Sequence, residues 1–344
     1  MHTCSCFFLD VGQGTSHLLY LGAGRAIIFD TGAPTDPNCK IIQKALSDCS
    51  IKQIEALIIS HSDADHLGNA VYLIQNCIDK IKKIYLVHDK IHESKVVKNF
   101  WSFLSKKYNE KNGNSLRKKI IPFNAPQTIL DETINGDHVK MDILFPTYSH
   151  AVETKTGLSQ DANRASAITL FSVGERKILF TGDVPFKSFQ WIYDEHGKIN
   201  ADIIAVPHHG GYIGADSIQL NQLYKEYISG SYAVISVGNK NTYQHPKSET
   251  LTVLKNCGYE VMCTQITDKC CPIQALDQWK QKRQYEGLEY SASSRNPSSE
   301  NNACMGTIRV DINSENLIIA SPANYMQIKN KLHQLEGATP LCLD

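Results

Sequence analysis

The sequence reads Ala56-Leu57-Ile58-Ile59-Ser60-His61-Ser62-Asp63-Ala64-Asp65-His66-Leu67-Gly68-Asn69 at the point that decides its fold. The apolar run at its start predicts a buried strand, and the residues from Leu67 onward predict the start of a helix. Between them, two histidines and two aspartates fall within six positions: His61, Asp63, Asp65 and His66. One His or Asp there would favour a solvated loop, but four without a cation would leave like charges crowded together. The stretch therefore predicts a metal site at the end of a strand.

The composition of the chain limits the classes of protein to which it can belong. A chain of 344 residues with 42% apolar residues can hold one large domain or two small ones. The formal net charge is zero, so any nucleic-acid-binding surface must be local rather than spread over the molecule. Neither an apolar span long enough for a membrane helix nor the pattern of a signal peptide is evident. We therefore expect a cytoplasmic protein with no membrane partner.

Cysteine usage agrees with a reducing compartment. The eleven cysteines are an odd number scattered along the chain, which favours reduced thiols over a disulfide framework. Cys263, Cys270, Cys271 and Cys304 could form a structural zinc site, but they lack a paired Cys-x2-Cys repeat. Buried thiols are the favoured interpretation of this group.

Several other predicted strands also end in polar side chains. Residues 26–32 end in Asp30-Thr31-Gly32, and residues 177–183 end in Thr181-Gly182-Asp183. An apolar run before Pro207 leads into His208-His209-Gly210, and the predicted strand that ends Ser236-Val237-Gly238 is followed by His245-Pro246. A carboxylate has two oxygens, so Asp183 can contact two cations at once. Any one of these motifs alone is a weak signal, whereas their succession along one chain is a strong one.

The spacing of residues 61–66 resembles the His-x-His-x-Asp-His signature of the metallo-β-lactamase fold, with Asp63 in the place of the second His. The segment Asp-Val-Gly-Gln-Gly at residues 10–14, followed by Asp-Thr-Gly, resembles the opening of that fold in ComEC-type DNA-uptake proteins. The Thr-Gly-Asp, His-His-Gly and His-Pro motifs are similar to the same branch. The resemblance implies an α/β fold, an αββα sandwich with two mixed sheets flanked by helices. We expect a single domain over residues 1–325, with a basic insertion at 90–120, a polar loop at 278–303, and a C-terminal helix and tail at 326–344.

The resemblance also implies one or two divalent metal ions and their ligands. The expected ligands are His61, Asp63, Asp65, His66, Asp183 and His245, with Asp183 bridging the two ions. The third His that the family supplies to the first ion has no clear counterpart, since His150 has little support from spacing. The hard oxygen of Asp63 in place of an imidazole shifts the expected preference from zinc toward manganese or iron.

Other residues receive supporting roles. By resemblance, Asp30 and Asn163 lie behind the ligands, where such groups orient the ligand imidazoles. Asp65 is the natural group to orient an attacking water. His208 and His209 could bind metal or contact the substrate and leaving group, and we favour the second role.

The basic insertion suggests a polyanionic partner. Between Lys80 and Lys119 there are twelve Lys or Arg against three Asp or Glu, with aromatic residues interleaved. A cationic arm of this kind can bind nucleic acid, whereas the plainer interpretation is an amphipathic helix that covers the core. The candidate nucleic-acid contacts are Lys106, Lys107, Lys118, Lys119 and Trp101.

Three hypotheses follow for the function. The first is a metal-dependent hydrolase that cleaves a phosphodiester, in nucleic acid, with a metal-activated water. The second keeps the metal chemistry but takes a small phosphoester or a lactone or other acyl substrate. The third is a binding module with a partly degraded metal site. Asp63 and the missing third His favour it, and the intact Asp65, His66, Asp183 and His245 oppose it.

Overall fold

Two sheets of mixed strand direction form the middle of the molecule. The computed structural model describes residues 3–87, 94–109, 114–123, 125–147, 150, 162–238, 243–270 and 304–320. The strands are β1 (Cys4–Phe8), β2 (His17–Tyr20), β3 (Arg25–Phe29), β4 (Gln53–Ile59), β5 (Ile81–Val87), β6 (Ile120–Phe123), β7 (Gln127–Ile134), β8 (Asp137–Phe145), β9 (Ile168–Val173), β10 (Arg176–Phe180), β11 (Ile199–Asn200), β12 (Ile203–Ala205), β13 (Ile228–Ser229), β14 (Tyr232–Ile235), β15 (Glu260–Cys263), β16 (Ile308–Ile312) and β17 (Leu317–Ala320).

The helices connect and cover these strands. They are α1 (Asp36–Asp48), α2 (Ala64–Leu67), α3 (Ala70–Cys77), α4 (Lys95–Asn109), α5 (Asn114–Arg117), α6 (Phe186–His196), α7 (Ser217–Gln222) and α8 (Ser248–Asn256). Short 3₁₀ turns lie at Ala162–Ala165 and Pro207–Gly210, and a π-helical turn lies at Leu223–Tyr227. None of the helices in the described part of the chain is long and apolar enough to cross a membrane.

Both large sheets have the same plan, in which an antiparallel part continues into four parallel strands. The first sheet has the order β17-β16-β1-β2-β3-β4-β5-β6, and β3 to β6 are its parallel strands. The second has the order β15-β14-β12-β10-β9-β8-β7, and β10, β12, β14 and β15 are parallel. β11 and β13 form a separate parallel pair. Because parallel strands end at the same edge of a sheet, residues that follow β10 and β12 can meet. The segment after β4 reaches this edge from the first sheet, since the Ser60 carbonyl oxygen accepts a hydrogen bond from the Ala167 N–H at 2.9 Å.

The alternation of side chains along β4 explains the layers. Ala56 and Ile58 face the core between the two sheets, where they join Phe29 and Phe180. Leu57 and Ile59 point the opposite way, into a second cluster with side chains of α1, α3 and α4. The core between the sheets continues through the second sheet to α6, α7 and α8. These layers confirm the predicted sandwich of two mixed sheets flanked by helices.

Part of the predicted basic insertion is an ordered cover on the first sheet. Val97, Phe100 and Leu104 of α4 are buried in the cluster on the helical side of that sheet. These apolar side chains form one face of an amphipathic helix that covers the core, which was the plainer of the two interpretations of the insertion. The polar loop at residues 278–303 and the C-terminal segment at 326–344 lie outside the described residues, so the proposed domain limits stay a prediction.

Candidate metal centre

The candidate site forms where strands of both sheets end. After β4 the chain passes through Ser60 and His61, and α2 then presents Asp65 and His66. Asp183 follows the end of β10 by three residues, after Gly182, which has a φ of 51°. A side chain at Gly182 would collide with the Ser166 hydroxyl, so this turn requires glycine. The topology thus brings residues more than 100 positions apart in sequence into one site.

His208 and His209 reach the site through a strained turn after β12. Both have a φ of 53°, in the left-handed region that residues other than glycine rarely adopt. The Nδ1 atom of His209 is 2.8 Å from the carbonyl oxygen of Ser236, just after β14, and that of His208 is 2.9 Å from the Tyr212 carbonyl oxygen. Backbone strain of this kind, held by contacts that fix both imidazole rings, is typical of functional sites.

Two groups of potential ligands share His66. The first contains His61, His66 and Asp183, all buried. His66 Nε2 lies 3.1 Å from Asp183 Oδ1, and His61 Nε2 lies 3.9 Å from Asp183 Oδ2. Asp63 adjoins this group, since its Oδ2 lies 3.5 Å from His61 Nε2.

The second group contains Asp65, His66 and His209. His209 Nε2 is 3.4 Å from Asp65 Oδ2 and 3.8 Å from Asp183 Oδ2. The Asp183 carboxylate therefore borders both groups, with one oxygen near His66 and the other near His61 and His209. This arrangement offers neighbouring positions for two cations.

The hydrogen bonds of the three imidazoles fit a metal centre. The Nε2 atoms of His61, His66 and His209 are buried and have no hydrogen-bond partner within the described residues. Their Nδ1 atoms face outward, 3.0 Å from Ser60 Oγ, 2.7 Å from Asp30 Oδ2 and 2.8 Å from the Ser236 carbonyl oxygen, respectively. Metal-binding histidines typically use one nitrogen for such an outer contact and direct the other at the ion. The residues present therefore fit one or two divalent cations.

Asp30 lies behind His66, with one carboxylate oxygen 2.7 Å from His66 Nδ1. Its carboxylate is fully buried and accepts hydrogen bonds from the backbone N–H of Ser60 at 2.7 Å and from the Ser60 hydroxyl at 2.7 Å. The second oxygen also contacts His66 Nδ1. Ser60 thus joins the strand end to Asp30, and Asp30 sets the orientation of the His66 ring.

The electrostatics of the site reflect its concentration of carboxylates. Burial would lower the pKa of His66, but the negative charges of Asp183 and Asp30 outweigh it and raise that pKa well above its usual value. Burial would likewise raise the pKa of Asp183, but His66 and His209 hold it well below its ordinary range. The pKa of Asp65 is lowered in the same way, against burial, by its contact with His209 and the charge of His66. Both carboxylates are therefore anionic and can bind a cation.

His245 lies beside these groups rather than in either of them. Its ring centroid is 5.1 Å from that of His208 and 6.2 Å from that of His209, and burial with the nearby His209 lowers its pKa to about 4. The described residues thus bring His209, which we had expected to contact substrate, to Asp65 and His66, and leave the expected ligand His245 one ring farther out. In the sequence, the pair of histidines after a predicted strand indicated a functional role for both. Only the geometry of the turn shows that His209, and not His208, lies in a group of potential ligands among the residues that the structure describes.

Two other expected residues have different surroundings. His150 is buried against Phe145 and Trp191, with ring centroids 4.7 and 4.9 Å away, and belongs to neither ligand group found in the described part of the chain. Asn163 begins a turn in which its carbonyl oxygen accepts a hydrogen bond from the Ser166 backbone N–H at 3.1 Å. Ser166 was not predicted as a site residue, yet its hydroxyl accepts the Asp183 N–H at 3.0 Å and lies 3.3 Å from His61 Nδ1.

The proposed nucleic-acid contacts separate into two kinds. Lys119 is a structural residue, because its Nζ donates to the carbonyl oxygens of Ile78 and Ile81 at 2.6 Å each. Lys106 and Lys118 are exposed, and Lys107 is half-buried. Trp101 is 37% exposed and packs edge-on against Phe100.

The structure describes three of the four cysteines in the group considered for a structural zinc site. Cys263, Cys270 and Cys304 are buried, and none of them joins a group of three potential ligands there. Cys271 lies outside the described residues.

Comparisons with known proteins agree with the topology. The sequence model described as the metallo-beta-lactamase superfamily matches residues 9–152. The chain is 27% identical to ComE operon protein 3 of Bacillus subtilis over 277 residues, which are 74% of this chain and 31% of that protein. It is 22% identical to competence protein ComA of Neisseria gonorrhoeae over 261 residues, 75% of this chain and 30% of that protein. The chain thus spans under a third of the length of either relative.

A solved structure gives a further match. The metallo-beta-lactamase fold protein YhfI from Bacillus subtilis aligns with 76% of this chain and 96% of its own, at 13% identity and a TM-score of 0.43. Two mixed sheets between helices, a ligand-rich loop after β4 and the superfamily match together identify the fold. The chain is a protein of the metallo-β-lactamase fold, and it is similar in sequence to the ComEC-type competence proteins.

Proposed function

We propose that this protein is a metal-dependent hydrolase that cleaves phosphodiesters in nucleic acid. The observation that carries the proposal is the position of the Asp183 carboxylate beside two sets of potential ligands, His61 with His66 and Asp65 with His66 and His209. A dinuclear arrangement suits phosphodiester hydrolysis, in which charge develops on both the attacking and the leaving oxygen. The sequence similarity to competence proteins supports nucleic acid as the substrate.

The side chains around the ligands suggest how the reaction proceeds. Divalent cations at this site would lower the pKa of a water molecule and stabilise the charge on the phosphoryl group. Asp65 is anionic, and its side chain is 25% exposed, so it can orient the attacking water by a hydrogen bond. The water oxygen bonds to phosphorus as the bond to the leaving oxygen breaks.

His208 is placed to complete the reaction. Its side chain is 27% exposed, and its Nε2 lies 3.9 Å from Asp183 Oδ2, at the opening of the site. Since Nδ1 contacts the Tyr212 carbonyl oxygen, Nε2 is directed toward the substrate side and can donate a proton to the leaving oxygen. His208 thus keeps the substrate-contacting role expected from the sequence, while His209 takes the role of a ligand.

The test is a hydrolysis assay with single- and double-stranded DNA and RNA, supplied with zinc, manganese or magnesium in turn. We expect cleavage of at least one polymer with one of these metals, and a lower rate after removal of metal with a chelator. A protein that binds metal with all ligands in place but cleaves no phosphodiester would contradict the proposal. An intact site that binds no metal would instead support the binding-module hypothesis.

A small phosphoester is the second candidate substrate, because α4 packs on the core and Lys119 serves the fold. The exposed lysines distinguish the candidates. For each lysine that contacts a duplex phosphate, replacement with Gln should reduce the slope of log affinity against log salt by about 0.9. We expect Lys106→Gln with Lys118→Gln to flatten this slope, and Lys255→Gln, an exposed lysine on α8, to leave it unchanged. An unchanged slope in the double variant would favour the small substrate.

A further inference from the structure

Two exposed tyrosines stand at the rim of the candidate metal centre. Tyr243 is 64% exposed and Tyr212 is 66% exposed. Contact of a large aromatic ring with water is unfavourable, so such rings are usually buried. Tyr212 lies in the segment that holds His208, and Tyr243 lies two residues before His245. Both rings are therefore accessible at the place where a substrate would enter.

Tyr243 extends a series of ring contacts that starts at the ligands. His208 Nε2 lies 3.9 Å from Asp183, and the His208 ring is 5.1 Å from the His245 ring. The Tyr243 ring then stacks on His245, with centroids 5.7 Å apart and an angle of 12° between the planes. One side of the Tyr243 ring is thus supported by the protein, while most of its surface is open to solvent.

The surroundings hold this stack in place. A side chain at Gly211 would collide with the His245 ring, which shows how closely the backbone packs against that ring. Lys247 joins the two segments, because its backbone N–H donates to the Gly210 carbonyl oxygen at 2.9 Å and its Nζ donates to the Tyr243 carbonyl oxygen at 3.0 Å. Tyr243 therefore offers a fixed aromatic surface, which loses little conformational freedom when a ligand binds.

We propose that Tyr243, supported by His245, is a stacking site for an unpaired nucleobase next to the phosphodiester at the metal centre. This inference rests on the proposed function and makes it more specific. Every base has a flat π face, so one tyrosine ring accepts any of the four bases. A base inside a duplex already has both faces covered by its neighbours, so this site favours single strands over duplexes.

Binding of matched short strands tests the inference without any hydrolysis. One strand is a hexathymidylate with phosphorothioate linkages, which resist cleavage, and the other has the same linkages but abasic sugars. Their affinities for the 344-residue chain, with manganese present, are measured by fluorescence anisotropy of a dye at one end of each strand. Since one stacked base contributes about 1–3 kcal/mol, the wild type should bind the thymidylate roughly 5- to 150-fold more tightly.

Variants locate the preference on one ring. Tyr243→Ala should reduce the ratio of the two affinities toward one, and Tyr243→Phe should retain it. Tyr193→Ala is the matched control, because Tyr193 is also exposed, at 40%, but packs against Tyr227 on another face. A purely structural role of Tyr243 would change both affinities together and leave their ratio unchanged.

Three results would overturn the inference: a wild-type ratio near one, a ratio that survives Tyr243→Ala, or a ratio that is lost in Trp101→Ala instead. A wild type that binds neither strand also shows no preference for bases and overturns it. None of these binding measurements uses cleavage. The stacking proposal can therefore be wrong while the hydrolysis of phosphodiesters is confirmed, and hydrolysis can be absent while the base preference is found.

Discussion

The two halves of the molecule build one site in different ways. In the first half, a single loop after β4 supplies His61, Asp63, Asp65 and His66 within six residues. In the second half, the contributions come from the ends of separate strands, with Asp183 after β10 and His209 after β12. The sheets themselves share one plan, so the difference lies in the loops rather than in the frame.

This difference determines what holds each set of ligands. The first loop is fixed by contacts that end on it directly, such as the bond from the Thr31 hydroxyl to the His66 carbonyl oxygen at 3.0 Å. The second set depends on the pairing of β10 with β12 and β12 with β14, since His209 contacts the Ser236 carbonyl oxygen just beyond β14. The loop after β4 supplies several potential ligands from a few consecutive residues. The residues of the second half come from separate strand ends, so their positions depend on the pairing of the strands in the second sheet.

The largest effect is expected at Asp183, the carboxylate from the second half that borders both ligand groups. Asp183→Ala should remove most bound metal and activity, by more than the roughly 10- to 100-fold that follows loss of an outer contact. Metal content by mass spectrometry and the rate of phosphodiester hydrolysis measure this. Asp194→Ala, at an exposed carboxylate of α6, is the control and should change neither quantity. Wild-type metal content in the Asp183 variant would mean that Asp183 does not bind the metal.

The next largest effect separates two histidines of the second half. His209 belongs to a ligand group with Asp65 and His66, whereas His245 lies one ring away. We therefore expect His209→Ala to reduce the number of bound ions and His245→Ala to reduce it less. Titration of each variant with manganese, followed calorimetrically, gives both the number of ions and their affinity. The opposite order would restore His245 as the ligand expected from the sequence.

The contrast between the halves also explains what the sequence could predict. The apolar run of β4 and the ligand spacing after it are local, and they predicted a metal site that contains His61, Asp65 and His66. The sandwich was implied by the family resemblance that this spacing carries. Asp30 behind His66 was implied by resemblance to the family, and the structure places it there. His209 and Ser166 could not be distinguished in the same way, because their roles depend on a left-handed turn and on a serine aimed at His61 from another strand end. The sequence allowed two interpretations of the basic insertion but could not assign its lysines, since only packing shows that Lys119 bonds to backbone while Lys106 faces solvent.

A moderate effect is expected at Asp30, which supports the loop of the first half from behind. Asp30→Asn keeps the shape of the side chain and tolerates the positive φ of 59° at this position. The amide oxygen can still accept a hydrogen bond from the Ser60 N–H. The group that faces His66 Nδ1 is then an NH2 donor or a neutral oxygen instead of a negatively charged carboxylate oxygen. Metal affinity should fall by about 10- to 100-fold, as is typical when such an outer contact is lost. Circular dichroism serves as the check on the fold, and an unchanged metal affinity would show that Asp30 does not act through His66.

The smallest effect is expected at Asp63, where the loop of the first half departs from the usual pattern of its family. Its carboxylate is 3.5 Å from His61 Nε2, and its side chain is 28% exposed, so an imidazole has room there. Asp63→His replaces a hard oxygen by a nitrogen that prefers zinc over manganese. We expect the ratio of zinc to manganese affinity to rise by about tenfold, which is about 1.4 kcal/mol. Competition titrations measure the ratio, and Asp63→Asn is the matched control because it keeps an oxygen ligand while removing the charge. If the ratio is the same in the wild type and in Asp63→His, Asp63 does not contact the cation, and the first half supplies three ligands rather than four.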